Sequence, residues 1–494
     1  MTVSGVVRGV RDAMATKTVS LLSREALDRI HAESLRILEN IGVRVENAGC
    51  REVLTRAGAK AVGQTNVVRL PASMVQEAMA QITGQFELVH PSGERFSVIN
   101  GPVRVGTRVK MPKVLDYGAA AYRPPRRQDV IDLCRITNAL DRAHFSVAIQ
   151  YPCSDVPPQI DVADSLGLVF AVTGHLSMCA PGTVDDARTS LDVSMAAVGS
   201  DDLENDPGTW IAVNTTTPLV LGDREGSIIL HAVGRHSPID VEPMPVAGVA
   251  TPATLAANLA LGNAESLFLS TLANTIWPGA KVIFSTCGSI MNMRTANLSM
   301  GNAESCLLAS AETALAHYYG VATYQMGGYS DSQLPDVQAG IEKAMAVLNL
   351  AQSDADLVIM GGPLNNAAHH SYEQVVIDHD IWEMAQRLTT EIVVDDETLA
   401  YDVIAEVGPG GSFLGKAHTR RHIQAGEHYY GGSFNHTGRA GEQYTMLARA
   451  HQRVEEILAR PFEYGAPPAA VQRIKDYVRD YAKDKGVAPP EWTA

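Results

Sequence analysis

The chain offers no uninterrupted apolar run of about eighteen residues, the length an α-helix needs to cross a bilayer, so nothing in it argues for a membrane span. It is also short of basic residues: 40 Lys and Arg stand against 55 Asp and Glu, a formal net charge of -15. Nucleic acid and anionic membranes would be repelled over most of such a surface, and neither is expected as a partner. Cysteine is sparse. The six, Cys50, Cys134, Cys153, Cys179, Cys287 and Cys306, contain no CxxC pair, so neither a disulfide framework nor a structural zinc knot is suggested, and no bound metal is expected. A reducing cytoplasm is the compartment that fits this usage. The opening residues lack an apolar core long enough for a signal peptide, and 1–20 are expected to form a flexible tail.

What is present is a large hydrophobic share, 46% of 494 residues, enough to bury a sizeable core. Short apolar runs alternate with longer helical stretches at residues 145–152, 176–181, 209–215, 240–247, 281–287, 321–327, 356–362 and 391–395. Eight strands with helices between them predict an α/β fold, a parallel (β/α)8 barrel, assigned to residues 126–460. The pentapeptide GNAES occurs at Gly262 and again at Gly301, 39 positions later, about the length of one strand-plus-helix unit. Asn263 and Asn302 are therefore expected to cap helices. Residues 21–125 read as an α+β extension packed on the barrel. They open with the amphipathic "SREALDRIHAESLRILENIGV" and continue with hairpin-like alternation around PSG in "ELVHPSGERFSVINGPVRVGT". Residues 461–494 predict a C-terminal helical arm with an exposed end.

In such a barrel the chemistry gathers where the strands end, at their carboxyl side. Tyr151, Asn214, Met244, Cys287, Tyr324, Gln325, Tyr329 and the turn Gly361–Gly362 fall there, with His369 and His370 a few residues on. Aromatics are 6% of the chain, so their gathering at strand ends suggests a cage for a quaternary ammonium, which ring faces attract. Tyrosines on such a rim also serve as plain core lids. The loop "QMGGYSDSQLPDVQAGIEKA" crowds Tyr329, Asp331, Gln333 and Asp336 together, and Asp336 is expected to cap the following helix. "GGSFLGKA" (410–417) mimics a P-loop but ends in Ala417 where Ser or Thr would hold magnesium, and it is set aside. His369 and His370 are adjacent rather than four apart, which is no zinc signature; Cys153, Cys179 and Cys287 could meet around zinc only through the fold.

The succession "MPVAGVATPATLAANLALGNAES", "NTIWPGAKVIFST", "MNMRTANLSMGNAES", "HYYGVATYQMGG", "SDSQLPDVQAG", "IMGGPL" and "EVGPGGSFLGKAHT" resembles the trimethylamine methyltransferase family. That resemblance implies a (β/α)8 fold and an enzyme of the methyltransferase class, EC 2.1.1. Such an enzyme passes a methyl group from an amine to the cobalt of a corrinoid (cobalamin) carried on a separate protein, with no tightly bound cofactor of its own. The founding members carry pyrrolysine in the loop that here reads "SDSQLPD", and the match sets it at or next to Gln333. With an ordinary amide there, the chain is similar instead to the glycine betaine methyltransferases, which act on quaternary amines. That match makes Gln333 the candidate catalytic position; the candidate substrate-binding residues, from strand-end and loop position and side-chain chemistry, are Tyr151, Tyr324, Tyr329 and Trp277 as cage rings, with Asn214, Asp331 and His369. The expected partners are a small quaternary amine and a cognate corrinoid protein, and a homo-oligomer is compatible with the sequence. Two other classes stay open: a zinc-dependent barrel methyltransferase and a non-catalytic binder of quaternary amines.

Overall fold

The computed structural model describes residues 21–99, 103–119, 121–140, 143–149 and 151–492; the expected tail at 1–20 lies outside them. Eight parallel strands close into a barrel: β1 Arg104–Lys110, β2 Phe145–Ile149, β3 Ser177–Ala180, β4 Thr209–Val213, β5 Ile239–Val241, β6 Val282–Phe284, β7 Ala322–Met326 and β8 Leu357–Met360. Each is bonded to the next, and β8 returns to β1 with Ile359 opposite Gly106.

Burial on both faces explains the apolar runs. Outward residues such as Val105, Ile211, Val282 and Val358 pack under the helices, while Phe145, Trp210, Tyr324 and Ile359 meet inside. The (β/α)8 expectation is met, but one strand lies elsewhere than the pattern suggested. The run 391–395 is not a strand: Ile392 and Val394 are 84% and 72% exposed. Its place in the barrel is taken by β1, which lies ahead of residue 126 and whose apolar run is broken by Arg104, Arg108 and Lys110. Gly106 is required there, because a Cβ would stand 2.1 Å from the Phe145 ring.

The hairpin of Glu87–Val89 and Arg95–Ser97 forms around PSG with Leu88 opposite Phe96. Phe86, Leu88, Phe96 and Val98 join the inner apolar cluster at the end where the strands begin, anchored by Thr83, which bonds to Ala280 and Val282 on either side of the start of β6. That end is plugged. Helix α1 (Arg24–Asn40) is capped by the Ser23 hydroxyl and lies on α2 (Leu255–Ile276), where the Ser34 hydroxyl donates to the Ala260 carbonyl at 2.8 Å. The GNAES echo is not structurally equivalent. Asn302 caps α3 (Ala303–Tyr318) as expected, whereas Asn263 sits inside α2, buried, donating to Ser34 and Tyr319 at 2.9 Å each. After β7 comes α4 (Val337–Gln352), capped by Asp336, and after β8 comes α5 (Tyr372–Thr389).

Near the carboxyl terminus, α6 (Ala417–Gln424) lies in a stretch that leaves the barrel body, and α7 (Pro468–Asp484) packs back on the helices Asp161–Thr173 and Val184–Val198. Beyond α7 the Trp492 indole donates to Asp164 at 3.0 Å. No described helix is long and apolar enough to cross a membrane.

A fully buried ion pair ties the last two strand ends together. Lys343 Nζ on α4 donates to the Gly328 carbonyl (2.5 Å) and to Asp378 on α5 (2.8 Å), and Asp378 also accepts the Gly362 amide at 2.7 Å. Burial lowers the Lys343 pKa, and Asp378 opposes the shift. Lys343→Met leaves the Asp378 carboxylate buried without its cation and should cost about 3 kcal/mol, read as a lower urea midpoint at unchanged slope. Adding Asp378→Leu should recover part of the loss.

Candidate active site

With one end plugged, the approach to the barrel interior lies at the carboxyl ends of the strands, and charge collects there. Arg108 on β1 points inward and donates through Nη2 to the Tyr329 hydroxyl, its guanidinium 5.2 Å from the centre of the Tyr329 ring. Tyr329 is held by the chain itself: it follows Gly328, whose carbonyl is gripped by Lys343. The Arg108 backbone is held as well, because His370 Nε2 lies 3.1 Å from its carbonyl and 2.9 Å from that of Gly361. Two unprotonated carbonyls require that nitrogen to carry the proton, and burial keeps the ring neutral, its pKa lowered to about 4. The Arg108 Nε is buried without a hydrogen-bond partner.

Three buried carboxyl groups collect in the same interior, and the guanidinium acts on one of them, Glu242. Asp240 and Glu242 alternate inward along β5 and its extension, where the Glu242 amide bonds to the Val213 carbonyl at 2.9 Å. Burial pushes Glu242 up to about 7, with Arg108 pulling the other way. Burial raises Asp240 further, reinforced by Glu242; Ser285 and Trp210 offset this only in part, and neither carboxylate oxygen has a hydrogen bond of good geometry. Glu312, on α3, accepts the Gly288 amide at 3.0 Å and is raised to about 8 by burial. Cys287 lies among Glu242, Glu312 and Arg108, and burial raises its thiol well above the usual range. That shift disfavours the thiolate, the form in which a cysteine acts as a nucleophile.

The anticipated residues divide between this mouth and other places. Tyr329 is central to it, and burial raises its phenol above the ordinary range. Tyr151 follows β2 at the lip, 36% exposed and within electrostatic reach of Tyr329. Asn214 follows β4, half-buried. Tyr324 lies deeper, its ring packed at 6.0 Å from both Phe145 and Trp210 and its hydroxyl without a hydrogen bond.

Trp277 is not brought to the mouth. It ends α2 on the side where β6 begins and stacks on His236 at 4.7 Å, because the turn at Gly279 precedes the strand rather than following it. Asp331 braces the lip, accepting the Met300 and Gly301 amides (2.8 and 2.9 Å) and the Ser299 hydroxyl. His369 pairs with Leu364 in a small sheet built from the loops after β1 and β8, and stacks on Tyr122 at 3.5 Å. Gln333 is exposed in the loop after β7. The four proposed cage rings therefore do not form one cage. Among the described residues Cys153, Cys179 and Cys287 do not gather within metal-binding reach of one another.

Sequence reasoning passed over Arg108, Asp240, Glu242 and Glu312. "IDVEPMPV" did carry a signal, two acids spaced by two in a strand otherwise buried, which puts both on one face. Arg108 was masked by its unrecognised strand, and Glu312 by the polar face expected of any helix.

The sequence model described as trimethylamine methyltransferase (MTTB) matches residues 5–486. A glycine betaine methyltransferase of Desulfitobacterium hafniense is 28% identical over 484 residues, covering 94% of this chain and 98% of that protein. A trimethylamine methyltransferase of Methanosarcina barkeri is 28% identical over 458 residues, covering 89% and 90%. Among solved structures, the Methanosarcina barkeri monomethylamine methyltransferase matches with a TM-score of 0.50 over 90% of this chain and 96% of that one, at 10% identity, a likeness of fold alone. With the match running over nearly the whole length, the chain belongs to the trimethylamine methyltransferase family.

Proposed function

We propose that the chain moves a methyl group from a betaine-like quaternary amine to the cobalt(I) of a corrinoid protein. The observation that supports this reading is the pairing of opposite charges in one buried space: a fixed guanidinium with an unused N–H beside the Glu242 carboxyl, on which Arg108 is the one cation acting among the described residues, with Asp240 next to it. A zwitterion complements both halves. Its carboxylate accepts from Arg108 Nε, and its quaternary nitrogen lies toward Glu242 with Tyr329 alongside. The glycine betaine methyltransferase among the relatives supports the same substrate class.

The reaction asks little acid–base chemistry of the protein. The nitrogen–carbon bond breaks with its electron pair kept on nitrogen, and the methyl carbon bonds to the electron pair of the acceptor. A quaternary nitrogen leaves as a neutral tertiary amine, so no proton is needed. Catalysis then consists of holding one methyl in line and excluding water. The corrinoid enters as a substrate on its own protein; the exposed lip residues Tyr151 and Met244 lie on the side it would approach.

Three outcomes test this. With cobalt(I) corrinoid protein as acceptor, glycine betaine or another betaine should yield the tertiary amine, whereas trimethylamine should not turn over. Turnover of trimethylamine at a comparable rate would sink the leaving-group argument, and binding without turnover of any quaternary amine would leave a binder. In this assay Gln333→Ala should lower turnover more than binding.

Arg108→Met should weaken glycine betaine binding by about 2 kcal/mol while leaving choline, which lacks the carboxylate, nearly unchanged. Equal losses would make Arg108 a packing residue.

The third outcome is a pH dependence. A bound cation favours the ionised carboxylate, so binding to the protonated site must expel a proton. Choline affinity should therefore fall as pH drops below about 7, the pKa of Glu242, approaching tenfold per unit. Glu242→Gln should flatten that profile, and titration calorimetry from pH 6 to 8 measures both.

A further inference from the structure

After α5 the chain leaves the barrel body, and what it builds there has almost nothing to hold it. The helices Asp396–Leu399, Tyr401–Val407 and α6 contain no buried residue, and Leu399, Tyr401 and Leu414 are 58%, 77% and 90% exposed. Helices of four, seven and eight residues are too short to persist alone in water. Segments that cannot bury a core are commonly held by a staple, a disulfide or a metal ion. No cysteine lies within 391–445.

We propose that Glu397, His418 and His422 form a zinc-class divalent metal site that clips the first of these helices to the third. One ligand atom from each of the three lies within 4.8 Å of the others, the one such group among the described residues. His418 and His422 stand four apart on α6 and so share a face, with ring centroids 4.1 Å apart. His422 Nε2 is buried and lies 3.5 Å from Glu397 Oε1.

His418 Nε2 lies 3.1 Å from the Glu397 carbonyl. That is the kind of bond that orients a metal-bound imidazole and leaves its other nitrogen for the ion. Two imidazoles and a carboxylate suit tetrahedral zinc with water in the fourth position, and are too nitrogen-rich for calcium or magnesium. Arg421 also grips Glu397, so the competing account is a plain Glu–Arg–His ion cluster.

The test uses the full chain stripped with chelator and titrated with zinc against a chromogenic chelator, with tryptic cleavage at Lys416, Arg420 and Arg421 followed in parallel. The expected result is about one zinc per chain, slower cleavage when it is bound, and affinity lowered at least about tenfold in both His422→Ala and Glu397→Gln. His436→Ala, an exposed histidine of the same stretch outside the trio, should bind as the parent does. Because none of these helices contributes buried residues, each variant should keep the thermal midpoint of the zinc-free parent, which checks folding. Absence of zinc binding, or zinc held equally well by the His422 and Glu397 variants, overturns the proposal in favour of the ion cluster.

Discussion

The buried contact between Lys343 and Asp378 is the constraint on which the rest of the mouth depends. Through it α4 and α5 hold the Gly328 carbonyl and the Gly362 amide, and so fix how the chain turns away from β7 and from β8. Gln374 donates to the other Asp378 oxygen at 2.7 Å, which satisfies the carboxylate and keeps the pair from being an uncompensated charge in an apolar interior. Tyr329 follows Gly328 directly, so its meeting with Arg108, two strands away on β1, is a consequence of that pair. His370 completes the link by holding the Arg108 and Gly361 carbonyls together.

The interior this frame encloses is electrostatically unfinished. Glu242 at about 7 and Glu312 at about 8 are carboxyls whose neutral forms are favoured by burial. The folded chain keeps those protons at pH values where the unfolded chain has lost them, so stability from these groups is present at low pH and declines as pH rises through the unfolded value toward the folded one. A bound cation removes that conflict by giving the ionised forms a partner. Binding strength and resting stability are thus opposed at the same residues, a frequent arrangement where a site is built for a charged ligand.

Much of the architecture could be read directly. Seven of the eight strands follow from apolar runs long enough to be buried on both faces, and the hairpin around PSG, the Asn302 cap and the Asp336 cap follow from local turn and cap chemistry. These signals are local because the energies behind them are local. The failures came where tertiary context overrode the pattern. "EIVVDD" has the composition of a strand but no neighbour to pair with, while the arginine-bearing β1 is a strand because Phe145 and the inner apolar layer close over Gly106.

For the site the division is sharper. Side-chain alternation and the carboxyl-end rule were enough to bring Tyr329, Tyr151 and Asn214 to the right end of the barrel, and the motif succession was enough for the family. Which charges face one another was decided only by closure of the barrel, since Arg108, Glu242 and Glu312 are each more than sixty residues from the next in the chain. Trp277 shows the same limit from the other side: an aromatic residue near a strand reads alike whether it stands before the strand or after it. Linear order specifies which elements form, because hydrogen bonding and periodicity act between near neighbours; the meeting of unlike charges in a water-poor space depends on long-range packing, which only the folded chain contains.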